Sequence, residues 1–279
     1  MKLYLKTKDY SFSNEEFDLI WDESKDMLFT KPIPDNLDAF YQGDNYISHT
    51  DSKKSVVDGL YQAIKAKNIK NKIQLIENQG YKLKKLLDIG AGTGDFLVFA
   101  NQQGFTVSGV EPNEKARGRA QQKGIKLTED LSGLSDSSYD VITLWHVLEH
   151  LPDLNHQIKT ISNLLNDSGI LVIAVPNFRS WDAKHFGKYW AAYDVPRHLW
   201  HFSQSSIRVL FKEHGMKVKT IKPMWFDAFY VSLLSEKYKG NRFYLFSAFF
   251  KGLWSNIHAI FTNEYSSMIY VLEKNKNRE

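Results

Sequence analysis

The stretch Leu86-Leu87-Asp88-Ile89-Gly90-Ala91-Gly92-Thr93-Gly94 restricts this chain more than any other. A short apolar run meets a loop in which every second residue is glycine, and Asp95 to Gln103 then reads as a helix that Gly104 ends. A strand that turns so abruptly into a helix opens a βαβ unit. Glycines at that turn let the backbone bend sharply and approach a ligand with no β-carbon in the way. The alternation then repeats. Thr106 to Val110 reads as a strand, Asn113 to Lys123 as a helix stopped by Gly124, Asp140 to Trp145 as a strand and Asp153 to Asn166 as a helix. Gly169 to Val175 is a strand stopped by Pro176, Ser203 to Gly215 a helix, Met216 to Ile221 a strand and Ser266 to Glu273 the last strand. Elements alternating at this length imply parallel pairing through right-handed crossovers. The expected fold class is α/β with a doubly wound, mostly parallel sheet.

The flanks read differently. From Lys53 to about Asn78 the apolar residues recur at helical spacing, with Thr50, Asp51 or Ser52 as the cap. Met1 to Thr50 reads as irregular, broken by Pro32 and Pro34, with short elements lying over another surface. Pro223 to Asn263 is too long a connection to lack structure of its own and is dense in aromatics. The division expected is an N-terminal extension with lid helices over 1–80, a core over 81–223, an aromatic helical insertion serving as a cap over 224–262, and the last core strand over 263–279. For the aromatics between Trp225 and Phe261, plain packing inside a helical hairpin is the favoured reading. A cap over an apolar substrate, a self-association surface and an interfacial membrane contact compete with it.

Composition excludes several functions. With no cysteine among 279 residues there is no disulfide, no zinc-thiolate site and no cysteine nucleophile. The net charge of +4, from 36 basic and 32 acidic residues, is too small to suggest a nucleic-acid partner. The lysines between Lys65 and Lys85 read as a solvated helix face. Met1 to Phe17 is too polar for a signal peptide, and Phe243 to Trp254 is shorter than the roughly 20 residues of a spanning helix. No transmembrane segment is expected, and a cytoplasmic location is the default.

Glu111 supplies the second half of the glycine signal. It ends the next strand, where a carboxylate can accept both hydroxyls of a ribose. Dinucleotide sites use Gly-x-Gly-x-x-Gly with a pyrophosphate on the helix N-terminus. Here the spacing is Gly-x-Gly-x-Gly, and Asp95 puts negative charge at the helix start, which suits a sulfonium and an ammonium better than a pyrophosphate.

Leu86 to Gly94, Val110-Glu111-Pro112, and Tyr139-Asp140-Val141-Ile142 followed by His146-Val147-Leu148-Glu149-His150-Leu151 resemble the motifs of class I S-adenosylmethionine-dependent methyltransferases. Pro176-Asn177 through Tyr189-Trp190 to Pro196-Arg197-His198-Leu199-Trp200-His201-Phe202-Ser203 is further similar to a bacterial subgroup near the ubiquinone-pathway enzymes, as is Tyr46-Ile47-Ser48-His49-Thr50. The resemblance implies S-adenosylmethionine as cofactor and a seven-stranded, Rossmann-like sheet whose last strand, Ser266 to Glu273, runs antiparallel. It places Asp88, Gly90, Ala91, Gly92, Thr93 and Gly94 around the methionine part, Glu111 and Pro112 at the ribose, and Asp130 and Leu131 after Glu129 at the adenine. Trp145 and His146 would flank the sulfonium.

His146-Val147-Leu148-Glu149-His150 also matches the inverted zinc-peptidase pattern, but the adjoining Pro152 opposes the long helix that pattern needs. The related turn of ubiquinone-pathway enzymes can hold a divalent cation. Here His146 stands in place of its first glutamate, so Glu149 and His150 are read as shaping the turn and no metal is expected. The segment after the fifth strand holds Trp181, His185, Tyr189, Trp190, Tyr193 and Asp194, whose aromatics would wall an acceptor pocket. His198 and His201 are the candidate bases, oriented by Asp194 or Tyr193. The function expected is methyl transfer to a small, apolar or aromatic acceptor, at oxygen rather than nitrogen or carbon, with a homodimer compatible. A macromolecule methyltransferase, a non-catalytic cofactor-binding partner subunit and an NAD-dependent dehydrogenase are the alternatives.

Overall fold

The computed structural model describes residues 1–41, 56–80, 84–136 and 138–275. Tyr46 to Thr50 and the expected cap residues Thr50, Asp51 and Ser52 lie outside the described residues. Two compact units divide the chain: Met1–Gln42, Trp145–Lys159 and Ile173–Asn275 form one, and Gly43–Leu144, Thr160–Val172 and Lys276–Glu279 the other.

The first unit begins with β1 (Lys2–Lys8), β2 (Glu16–Asp22) and β3 (Met27–Lys31), an antiparallel meander followed by a 3-10 turn over Leu37–Tyr41. Met1 to Thr50 reads as irregular in the sequence; within it, the described residues 1–41 instead carry these three strands. Phe17 and Leu19 alternate with Asp18 on β2, and only the apolar pair is buried, the period-two pattern of a strand with one wet face. Asp9 fixes the first turn by accepting the backbone N–H groups of Ser11, Phe12 and Ser13.

The second unit carries α1 (Val56–Glu77), β4 (Lys85–Ile89), α2 (Asp95–Gln102), β5 (Thr106–Val110), α3 (Glu114–Gln122) and most of β6 (Tyr139–Trp145). β4 pairs in parallel with β5 on one side and β6 on the other. Leu86 and Leu87 point to opposite faces and both are fully buried, so β4 is a central strand covered on both sides. A β-carbon on Gly109 would stand 2.5 Å from both Leu97 and Leu127, so α2 and the segment after α3 close on β5 only because that position is glycine. α4 (Leu154–Leu164) and β7 (Leu165–Pro176) belong partly to each unit.

The first unit resumes with α5 (Trp181–Phe186), β8 (Trp200–His201), α6 (Gln204–Glu213), β9 (Met216–Pro223), α7 (Asp227–Tyr238), α8 (Tyr244–Thr262) and β10 (Ser267–Lys274). The α/β, Rossmann-like arrangement is as expected, with strand order β5-β4-β6-β7-β10-β9 and β10 antiparallel to β9. Among the described residues that is six strands. Where a seventh would extend the edge at β5, Thr128 makes a single parallel bridge to Val110. β8 instead completes a separate four-stranded sheet, pairing Leu28 with His201 and Phe29 with Trp200.

Beneath that small sheet lies the core of the first unit, where Phe17, Leu19 and Leu28 pack with Phe178, Trp190 and Tyr193. Trp190 also donates its indole N–H to Asp182 at 2.7 Å. Two aromatics expected in an acceptor wall are thus core residues. The aromatic hairpin departs from expectation in the opposite direction. α8 turns Ala248, Gly252, Ser255, Asn256 and Ala259 inward and leaves its large apolar side chains outside.

Candidate active site

The glycine loop is held by the strand beside it. The N–H groups of Gly90 and Ala91 donate to the Val110 carbonyl at 2.8 and 3.0 Å, and Glu111 accepts the Gly92 N–H at 2.8 Å on one carboxylate oxygen and the Asn113 N–H at 2.9 Å on the other. A carboxylate has about four lone-pair positions, so Glu111 keeps capacity for two further donors. Gly92 and Gly94 have φ of +54° and +76°, a region costly for residues with a β-carbon. Beside Gly94 the restriction is also spatial, because a β-carbon there would meet that of Ala120 at 3.0 Å.

Asp95 is not a free charge at the helix start: it accepts from Lys123 Nζ at 2.6 Å and from the Thr93 hydroxyl at 3.0 Å. Asp88 is buried and accepts from the Thr143 hydroxyl at 2.5 Å. Burial pushes its carboxyl up to about 7, the nearby Glu111 charge adds to this, and the Thr143 hydroxyl and the Lys72 charge oppose it. Pro112 lies exposed beside this loop, and its carbonyl and that of Glu111 accept from Arg117. Asp130 and Leu131 follow Thr128, whose carbonyl accepts the Glu111 N–H at 2.9 Å. Asp130 is exposed, and a hydrogen bond from Ser132 holds its carboxyl below the usual range.

In the other unit, Trp145 ends β6 and His146 turns the chain with φ of +57°. His146 lies between two carboxylates, Nε2 3.0 Å from Asp227 and Nδ1 3.4 Å from Glu149. Burial works against its charged form, but these two carboxylates outweigh it and raise the imidazole to about 10. Asp227 carried no signal in the sequence, being 81 positions away on α7. Leu148, Glu149 and His150 form a single 3-10 turn, so His146 and His150 do not share a helix face and the zinc-peptidase geometry is absent.

The three remaining imidazoles differ in which nitrogen is free. His150 donates from Nδ1 to the Arg197 carbonyl at 3.0 Å, and His198 from Nδ1 to the Ala192 carbonyl at 2.9 Å. A carbonyl can only accept, so both rings carry their lone pair on Nε2. His201 is the reverse. Thr30 spends its hydroxyl proton on the His198 carbonyl at 2.6 Å, so the 3.0 Å contact from Thr30 to His201 Nε2 requires Nε2–H to donate. Burial, and after it the neighbouring His198, lower His150 to about 4 and hold His201 well below its ordinary value, both toward the neutral form. Glu149 is fully buried and neither oxygen receives a hydrogen bond. Burial opposes its charge, but His146 beside it outweighs burial and holds its carboxyl below the ordinary value.

Among the described residues, the donor atoms of Glu149, His150 and His198 lie within 4.8 Å of one another, close enough to hold a cation. His198 and His201, the two candidate bases, have ring centroids 6.4 Å apart, and the fold adds Glu149 and His150 beside His198. Asp194 is committed elsewhere, to Arg197 at 2.7 and 3.0 Å, and stands 3.9 Å from His198 Nε2.

A Rossmann-like sheet with a Gly-x-Gly-x-Gly turn clamped by the acidic end of the next strand defines the class I methyltransferase type. Comparison with known proteins agrees. The family described as methyltransferase domain matches residues 61–221, more than half of the chain. The ubiquinone biosynthesis O-methyltransferase of Vibrio parahaemolyticus serotype O3:K6 is 35% identical over 104 residues, covering 34% of this chain and 44% of that relative. The chain thus spans about half the length of the curated relatives it matches. Among solved structures, magnesium protoporphyrin IX methyltransferase from Synechocystis PCC 6803, with bound S-adenosylhomocysteine, aligns at TM-score 0.54 and 17% identity, covering 86% of this chain and 94% of that one. A SAM-dependent methyltransferase from Archaeoglobus fulgidus aligns at 0.52 and 18%, covering 76% and 94%. At these identities the structures speak for the fold. The chain belongs to the methyltransferase-domain family.

Proposed function

We propose that the chain methylates an oxygen of a small-molecule acceptor. The clamp between Glu111 and the glycine loop carries the donor half of this reading. Glu111 would take the ribose hydroxyls, Asp88 and the loop from Gly90 to Gly94 the methionine part, and Asp130 and Leu131 the adenine, with Pro112 alongside. Trp145 and His146 would stand by the sulfonium. S-adenosylmethionine, when bound, supplies a methyl group on a sulfonium that departs as a neutral thioether. What remains for the protein is to align the acceptor and receive its proton. Support for oxygen as the accepting atom comes from the curated relatives named O-methyltransferases.

For the proton, His198 is the better of the two candidate bases. Its lone pair is on Nε2, and the ionised Glu149 and Asp194 nearby would stabilise the imidazolium it becomes. His201 is a donor at Nε2 and packs in the interior, a structural role. His198→Ala is expected to lower kcat by roughly 10²- to 10⁴-fold with S-adenosylhomocysteine affinity unchanged. His201→Ala should instead reduce thermal stability. Full turnover in His198→Ala would remove it as the base.

The buried Asp88 adds a pH signature. If its carboxylate must be ionised beside the cationic cofactor, affinity holds above about pH 7 and falls roughly tenfold per unit below it. Calorimetry at pH 5.5 and 8 should show this difference, and Asp88→Asn should flatten the profile at a lower affinity. A flat profile in the unaltered protein would show that the ionised form is not required. The acceptor class is tested by incubating the protein with labelled cofactor and a fractionated lysate. Label in the small-molecule fraction, stable to amide-cleaving conditions and lost with ether cleavage, is the expected result. Label in RNA or protein would favour a macromolecule methyltransferase.

A further inference from the structure

α8 is built inside out. Its small residues, Ala248, Gly252, Ser255 and Ala259, recur every three or four positions and face the protein, and Gly252 sits so close to α7 that a β-carbon would reach the Phe229 backbone at 2.8 Å. Its bulky residues face outward: Phe246 is 70% exposed, Trp254 54% and Phe261 81%. Leu245, Phe249, Phe250 and Ile260 join them, and Trp225, Phe226 and Tyr230 are exposed on the neighbouring segment. Amphipathic helices of globular proteins bury the large residues, and single exposed apolar side chains need no explanation; a whole helix face of them does.

The charges around this face select its occupant. From Lys237 to Asn263 the sequence contains Lys237, Lys239, Arg242 and Lys251 and no acidic residue. Lys237, Lys239 and Arg242 are exposed at the amino-terminal approach to α8, and Lys251 interrupts the apolar face beside Trp181 and Trp254. A two-fold contact with a second copy would set four cations against four, while the nearest carboxylates are engaged within the protein: Asp227 with His146, Glu236 with Asn241 and Glu264 with Asn177. An apolar face rich in phenylalanine and tryptophan with a cationic rim fits instead an anionic lipid surface, where rings enter the acyl boundary and lysines and arginines remain at the headgroups. Crossing is not the mode: no helix of the described residues is long and apolar enough to span a membrane. We propose that α8 lies in the plane of an anionic bilayer surface and docks the protein there through its outward aromatic face.

Vesicle co-sedimentation tests this with the full chain. Binding is expected to vesicles of phosphatidylcholine with 30 mol% phosphatidylglycerol (roughly the anionic content for which a cationic rim matters) and to be at least tenfold weaker to phosphatidylcholine alone. Phe246→Ser/Phe250→Ser/Trp254→Ser should abolish binding to either vesicle. Lys237→Glu/Lys239→Glu/Arg242→Glu should remove the preference for anionic lipid. S-adenosylhomocysteine affinity, measured on each variant, should be unchanged and reports that the fold is intact. Absence of vesicle binding by the unaltered protein overturns the proposal. So does a concentration-dependent dimer that the serine variant dissolves while vesicles of both compositions fail to bind, which would assign the face to a second copy.

Discussion

Replacing Glu111 with alanine is expected to weaken S-adenosylhomocysteine binding by about 10²- to 10⁴-fold, the loss of two hydrogen bonds to a charged acceptor at roughly 1.5–3 kcal/mol each. The same change frees the N–H groups of Gly92 and Asn113 from their acceptor, so the loop loses its anchor as well as its ligand contact. Glu111→Gln separates the two. An amide oxygen can accept one of the N–H bonds, so the glutamine variant should recover part of the loop order but little of the ribose affinity. Isothermal calorimetry on both variants, with amide exchange of Gly90 to Gly94 as the readout of order, checks this. Equal affinity in Glu111→Ala and the unaltered protein would show that the ribose is held elsewhere. Gly92→Val attacks the same loop through its backbone, since a β-branched residue resists φ near +54°, and should likewise remove binding.

The second large effect concerns stability rather than the reaction. Arg197 is buried, and its guanidinium donates to Asp194 from Nε and Nη2, to Asp9 at 2.9 Å, to Ser11 and to the Phe40 carbonyl. Burial works against all three charges, and their mutual pairing overcomes it: Arg197 is raised, Asp9 and Asp194 are lowered. Arg197→Met should cost about 3–5 kcal/mol, because it strands the buried Asp9 and the half-buried Asp194 carboxylates, and lower the Tm by roughly 10 °C. The sign with pH follows from the two depressed acids. Their contribution is complete above the ordinary carboxylate range and is lost as pH falls below about 4. In Arg197→Met this acid-side loss should shrink or reverse, because the stranded carboxylates would then gain from protonation. Thermal melts between pH 3 and 7 report both effects. An unchanged Tm in the methionine variant would mean that the pair is dispensable.

The glycine loop, its acidic partner and the alternating core were legible because their signals are local: each is a run of fewer than ten residues whose spacing has one backbone solution. The residues missed are those whose meaning depends on distant partners. Asp9 is an ordinary turn residue until Arg197 arrives 188 positions later, and Thr30 reveals the tautomer of His201 only across 171 positions. His146 gives no sign of its own pairing, because the carboxylate that meets its Nε2 at 3.0 Å lies on α7. α8 misled for another reason. Its periodicity has two stripes, one of small residues and one of large, and the usual rule assigns the large stripe to the interior.

The pairing of β3 with β8 also sets a timetable for synthesis. The meander of β1 to β3 is made first, and the strand that covers its open edge at Leu28 and Phe29, with the rings of Phe178, Trp190 and Tyr193 that fill its underside, follows much later in the chain. At about 5–20 residues per second, the interval between Thr30 and His201 is roughly 10–35 s. Over that interval the β3 edge at Leu28 and Phe29 has no β8 to pair with, and Phe17 and Leu19 have no Phe178, Trp190 or Tyr193 to pack against, so chains halted before Trp200 should aggregate more readily than chains halted beyond it.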